Sequence, residues 1–122
     1  MRSLDNLLDS VKNALSEVDP STFYGTAAGL PAKSPWNYTV FSRSTTKAKE
    51  GGCGFSDRLT VSVVRENYVP EGMLERVIDA MRAIPGVKLD AAREVEYVYD
   101  VKPGTSRTVE MMIVRFVRGR KA

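Results

Sequence analysis

The sequence predicts an α+β protein, in which an N-terminal helix and a central helix pack on an antiparallel-rich sheet in the order α-β-β-α-β-β. Apolar residues recur at helical spacing in two segments and alternate with polar residues in four others. No internal repeat or low-complexity tract divides the chain. Its 122 residues suffice for one hydrophobic core, so residues 1–122 are expected to form a single domain.

The N-terminal helix is predicted to end before Asp19 and Pro20, since proline disfavours helical geometry in the residue before it. Its apolar stripe consists of Leu4, Leu7, Leu8, Val11, Leu15 and Val18. Residues 21–35 follow, rich in glycine, proline and small residues. We expect an irregular connector whose aromatic residues, Phe23 and Tyr24, pack across a surface or reach a neighbouring subunit.

Residues 36–43 and 58–66 are predicted strands. In the second, polar residues alternate with Leu59, Val61 and Val63, as in a half-buried antiparallel strand. Between them, residues 44–57 read STTKAKEGGCGFSD, with three glycines and little to bury. We expect a long flexible loop that orders on contact with a partner.

The central helix is predicted within residues 69–86, with Pro70 in its first turn and Pro85 and Gly86 at its end. Its buried stripe is expected to be Met73, Leu74, Val77, Ile78, Met81 and Ile84.

The last third is predicted to be a hairpin, in which the sequence KPGT joins the strands REVEYVYDV and RTVEMMIVRFVR. Residues 111–114 are apolar on both faces, which indicates a strand covered on both sides. One cover is expected to be a helix, and the other either the second helix or another subunit. Phe116 shares a face with Met112 and Val114, so we expect it in the packed sheet.

The sequence argues against an enzyme. It contains no histidine and one cysteine, Cys53, which removes Ser-His-Asp, Cys-His and histidine-zinc chemistry. Alternating Glu94, Glu96 and Asp100 are explained by pairing with Arg107 across the hairpin rather than by metal binding. The segment GGCGFSDR lacks the Gly-Lys-Ser/Thr ending of a phosphate loop. We expect no catalytic residue, no metal and no cofactor.

The charge of the chain is concentrated towards its C-terminus. The net charge is +3, yet from residue 102 onward one acid, Glu110, faces six basic residues: Lys102, Arg107, Arg115, Arg118, Arg120 and Lys121. This asymmetry is typical either of contact with nucleic acid or an acidic protein surface, or of a solvated end. No apolar run is long enough to span a membrane and no signal-peptide core is present, so no membrane contact is expected.

With these elements placed, the chain resembles the neck proteins of long-tailed bacteriophages, which are the tail-terminator and head–tail joining proteins. The resemblance rests on the N-terminal helix, WNYTVF, the long polar loop, RLTVSVV, the helix MLERVIDAMRAI and the basic ending IVRFVRGRK. It implies an α+β structural subunit, encoded by a phage or prophage, that forms a ring, often hexameric. Such a ring caps the tail tube and mediates head attachment during virion assembly. It implies no catalytic residues.

On this interpretation the chain works in the virion and, during assembly, in the bacterial cytoplasm. It contacts copies of itself, other tail or connector proteins and, nonspecifically, DNA in the channel. The expected interaction residues are Phe23, Tyr24, Lys47, Lys49, Gly51, Gly52, Phe55, Arg115, Arg118, Arg120 and Lys121. The alternative is a small cytoplasmic α+β binding module whose basic C-terminus binds an acidic partner or nucleic acid.

Overall fold

Among the described residues, six strands form one mostly antiparallel sheet, and two helices lie together on one of its faces. The structure is a computed structural model that describes residues 7–27 and 34–120. It confirms the predicted α+β class with both helices. The elements are α1 (Leu7–Val18), β1 (Thr22–Tyr24), β2 (Tyr38–Ala48), β3 (Phe55–Glu66), α2 (Met73–Arg82), β4 (Val87–Leu89), β5 (Glu96–Val101) and β6 (Thr108–Arg120).

The sheet is organised around β6, its longest strand, with 13 residues. One edge of β6 pairs with the whole of β3, and the other pairs with β4 near its end and with β5 near its start. Beyond β3 the order continues through β2 to β1. β1 and β2 pair in parallel, and the other described strand pairs are antiparallel.

The hydrophobic core lies between the helices and one face of the sheet. In its centre Leu59 pairs with Phe116 and Val61 with Val114. Phe116 and Val77 are 0% and 1% exposed, which confirms the predicted orientations of the last strand and the central helix. The helices bury their apolar stripes against this layer through Leu7, Val11, Leu15, Met73, Val77 and Met81. Leu74 and Ile78, also predicted in the stripe, are only partly buried at its margin.

The prediction of a long loop at residues 44–57 is wrong. Residues 44–48 continue β2, and residues 45–48 pair with the start of β3, so that only residues 49–54 lie outside the strands. The Oγ1 of Thr46 donates a hydrogen bond of 2.8 Å to Asp57, which ties the two strands together. At the tip, Gly51 and Gly52 adopt φ angles of 75° and 70°, a region that glycine tolerates. The sequence hid this hairpin because its side chains are polar on both faces, which leaves no alternation to read.

The connector after α1 is also more regular than predicted, because it contains β1. Buried Asp19 explains the position of this strand. Its carboxylate accepts hydrogen bonds from Thr39 Oγ1 at 2.8 Å, Arg65 Nη2 at 2.9 Å and the backbone N–H of Ser21 at 2.9 Å. Arg65 also donates to the carbonyl oxygen of Tyr38 at 3.1 Å. One carboxylate thus joins the end of α1 to β1, β2 and β3.

The second half of the chain also differs from the prediction in its secondary structure. The central helix begins at Met73, after Gly72 with a φ of 87°, so Pro70 lies before its first turn. β4 was not predicted, because three residues are too few to show a period. Glu94 precedes β5, whereas Glu96 and Asp100 lie on one face of it. Neither described helix is long and apolar enough to cross a membrane.

The turn between β5 and β6 is held by Glu66. Its carboxylate accepts hydrogen bonds from Lys102 Nζ at 2.8 Å, Arg107 Nη1 at 2.8 Å and the backbone N–H of Trp36 at 2.7 Å. These donors, led by Lys102, lower the pKa of Glu66 from 4.5 to about 2. Arg107 was predicted to pair across the hairpin; it binds β3 instead.

Candidate functional site

The structure brings most of the predicted interaction residues to one end of the sheet. The β3–β6 register places Phe55 opposite Arg120 and Asp57 opposite Arg118. Lys49 crosses the end of β6, where its Nζ would lie 2.9 Å from a Cβ atom added to Gly119. We call this region the hairpin end, and it consists of Lys47, Lys49, Gly51, Gly52, Phe55, Arg118 and Arg120.

Arg120 is fixed within the hairpin end. Its Nε donates a 2.7 Å hydrogen bond to Asp57, and its guanidinium carbon lies 4.6 Å from the centroid of the Phe55 ring. Burial raises the pKa of Asp57, but hydrogen bonds from Arg120 and Thr46 and the charges of Arg120 and Arg118 outweigh it. The net effect holds the pKa of Asp57 below its usual value. Asp57 therefore stays ionised, and its hydrogen bond with Arg120 fixes the position of the Arg120 guanidinium group.

A cleft of about 250 Å³ opens beside these residues, where α1 meets the sheet. Among the described residues it contains three guanidinium groups and one carboxylate. It is lined by Leu7, Leu8, Arg43, Thr46, Asp57, Arg118 and Arg120. Its excess of positive charge suits an anionic group on a partner.

Phe23 and Tyr24 lie on opposite faces of β1 at the sheet margin. The ring centroid of Phe23 lies 6.3 Å from that of Tyr38, edge to face, and that of Tyr24 lies 5.2 Å from that of Phe41. Tyr24 remains 47% exposed, and its hydroxyl oxygen accepts a 3.3 Å hydrogen bond from Arg43 Nε. Both aromatic residues are thus anchored in the sheet, and Tyr24 also faces solvent.

No described helix covers the sheet face opposite the helices. This face carries the polar residues Thr60, Ser62, Glu96 and Arg115 together with a group of apolar residues that we call the open face: Phe23, Tyr38, Val40, Val64, Val98, Met111 and Ile113. None of these residues belongs to the core under the helices. Burial among their neighbours raises the pKa of Tyr38. Both helices lie on one side of β6, so the second helix is not the second cover, and the alternative, another subunit, stays a prediction.

Most of the basic C-terminal charge is paired within the chain. Lys102 and Arg107 bind Glu66, Arg115 binds Glu96, and Arg120 binds Asp57. Lys121 lies outside the described residues. Glu110 on β6 accepts hydrogen bonds from the Tyr99 hydroxyl at 2.7 Å and the Val69 backbone N–H at 2.6 Å.

Sequence reasoning missed Arg43, Thr46 and Asp57, which line the cleft. All three lie in or beside the stretch expected to be a loop, and their only signal was charge and β-branching without alternation. Within residues 7–27 and 34–120, no group of three or more acidic or cysteine side chains is arranged to hold a metal ion.

No protein-family model matches the sequence, and no curated protein matches it.

Proposed function

We propose that this chain is a structural subunit of a bacteriophage or prophage neck, acting as a tail-terminator or head–tail joining protein that assembles into a ring. The open face carries this proposal. Large contiguous apolar patches on a soluble protein commonly mark contacts with other proteins. Here apolar side chains run across the middle of the sheet from Phe23 on β1 to Val98 on β5; most are partly buried among their neighbours, Val64 is buried, and Val98 is 45% exposed. A subunit that is completed by copies or companions accounts for it.

The hairpin end supports the same proposal. It combines exposed lysines, an aromatic ring under a fixed arginine and a basic cleft in one place. A partner protein or the DNA in a neck channel would meet these groups together. The cytoplasmic binding module is less well supported, because four of the six basic residues on which it depends are paired with carboxylates.

Assembly is the first test. Sedimentation velocity over a concentration series, followed by electron microscopy of the largest species, should show closed rings of the wild-type chain. A chain that stays monomeric at every concentration contradicts a ring-forming subunit.

Virion assembly is the second test. Deleting the gene from the strain that encodes it should leave separate heads and tails in an induced lysate, and a plasmid copy should restore joined particles. Normal particles from the deletion strain would contradict a neck function.

A further inference from the structure

Two strands of the sheet have free backbone edges in the part of the chain that the structure describes. β1 pairs only with residues 39–41 of β2, so residues 42–48 have no strand partner on their outer side. β5 pairs with β6 on one side and has no described strand on the other. Free edges present unpaired N–H and C=O groups and are templates for strand addition.

The two edges have opposite charge. The β2 edge carries Arg43 and Lys47 and no acid, whereas the β5 edge carries Glu96 and Asp100 and no base. All four residues are exposed. Glu96 remains half exposed although it pairs with Arg115. On the open-face side, where Glu96 and Asp100 lie, the β2 edge carries Lys47, because the bulge leaves Arg43 on the helix side of the sheet. Pairing a β2 edge with a β5 edge therefore brings Lys47 to the acidic side chains, while pairing two β5 edges would oppose like charges.

The lengths of the edges also match. β5 has six residues. The β2 edge, residues 42–48, has a bulge near its inner end, between Arg43 and Thr45, and is regular from Thr45 onward. The β5 edge is unusually apolar for a strand margin: Tyr97, Val98, Tyr99 and Val101 are 45–61% exposed. Side chains of this size are typical of a surface that another strand covers.

From these observations we infer that the β5 edge of one subunit adds to the β2 edge of a second copy of this chain. This inference rests on the proposed function and identifies the lateral contact of the ring. The edges lie on opposite sides of the sheet, so the contact is head-to-tail, and it closes into a ring when its rotation divides a full turn. The joined sheet keeps every open face on the same side, where a tube end or a further ring can cover it.

A charge-swap experiment tests the contact. Variant A carries Lys47→Glu, and variant B carries Glu96→Lys and Asp100→Lys. Each variant alone places like charges at every β2–β5 contact, so each should sediment as a monomer where the wild-type chain assembles. In an equimolar mixture, A and B contacts are again opposite in charge, so assembly should return with the two variants alternating.

The matched control carries Lys12→Glu, which changes the net charge as variant A does, but at an exposed helix position. It should assemble like the wild type, and circular dichroism should show all variants folded. Assembly of A or B alone at wild-type concentration, or a mixture that stays monomeric, overturns the edge contact. If the wild type forms rings in that case, the proposed function stands; a monomeric wild type overturns both.

Discussion

Single carboxylates fasten this sheet together at points where the strand pattern alone would leave it loose. Asp19 joins α1 to three strands, Asp57 joins the hairpin to the end of β6, and Glu66 joins β3 to the turn before β6. Each binds groups distant in sequence, so its partners could not be predicted from local spacing. By contrast, the burial of Val77 and Phe116 follows from periodicity and was predicted.

Glu66 should contribute to stability in a defined pH range. Its pKa in the folded chain is about 2, below the usual 4.5, so its contribution is complete above about pH 4.5 and is lost as pH falls towards 2. We expect Glu66→Gln to flatten the loss of unfolding free energy between about pH 4.5 and 2. Urea unfolding at several pH values measures this. Glu94→Gln, at an exposed site outside the strands, should keep the wild-type slope.

Val77 tests the orientation of α2. It is 1% exposed, so Val77→Asp places a charge without a partner between helix and sheet. We expect a loss of more than about 3 kcal/mol in unfolding free energy, which leaves little soluble folded protein. Arg82→Asp on the exposed face should cost less than about 1 kcal/mol. Normal stability of Val77→Asp, measured by thermal unfolding, would contradict the assigned packing.

At the scale of elements, long periodic segments were predictable and short or two-sided polar ones were not. The apolar stripe of α2 and the alternation of polar and apolar residues in β3 are sufficient to predict a helix and a strand. β1 and β4 have three residues each and depend on neighbours for their existence. The outer half of the β2–β3 hairpin is stabilised by pairing with β6 rather than by its own apolar pattern. The residues of the hairpin end were predicted as interaction residues, but the cleft beside them was not predicted.

The hairpin tip should be dispensable for folding. The backbone N–H of Lys49 donates a 2.9 Å hydrogen bond to the carbonyl oxygen of Gly54, so an Asn-Gly turn can replace residues 50–53 without changing register. We expect the shortened variant to keep the wild-type circular dichroism spectrum and a midpoint of thermal unfolding within a few degrees. In the proposed neck it should form rings yet fail to restore head–tail joining to the deletion strain. Joined particles would show that the tip has no role in joining.

At the scale of the whole molecule, both described helices lie on one side of the sheet. The apolar character of residues 111–114 on both faces was read from the sequence, but which side each helix would take was not. That choice depends on the handedness of the connections and on the packing of α1 against α2. The open face follows from it.

The open face should matter more for assembly than for folding. Ile113 is only partly buried there, so Ile113→Lys should leave the monomer folded, with a cost of about 1 kcal/mol. We expect higher-order assembly to be lost, measured by sedimentation velocity. Tyr68→Lys, at a side chain 68% exposed outside the sheet, is the control and should assemble normally. Unchanged assembly of Ile113→Lys would exclude the open face as a contact.

The central place of β6 in the sheet has a consequence for folding during synthesis on the ribosome. β3, β4 and β5 all pair with this strand, which is made after each of them. Until it emerges from the exit tunnel, the nascent chain can close only the β1–β2–β3 portion of its hydrogen bonding. Until then, the helices would pack against an incomplete sheet. Synthesis that stops before residue 108 should therefore yield a polypeptide that chaperones and proteases recognise as unfinished.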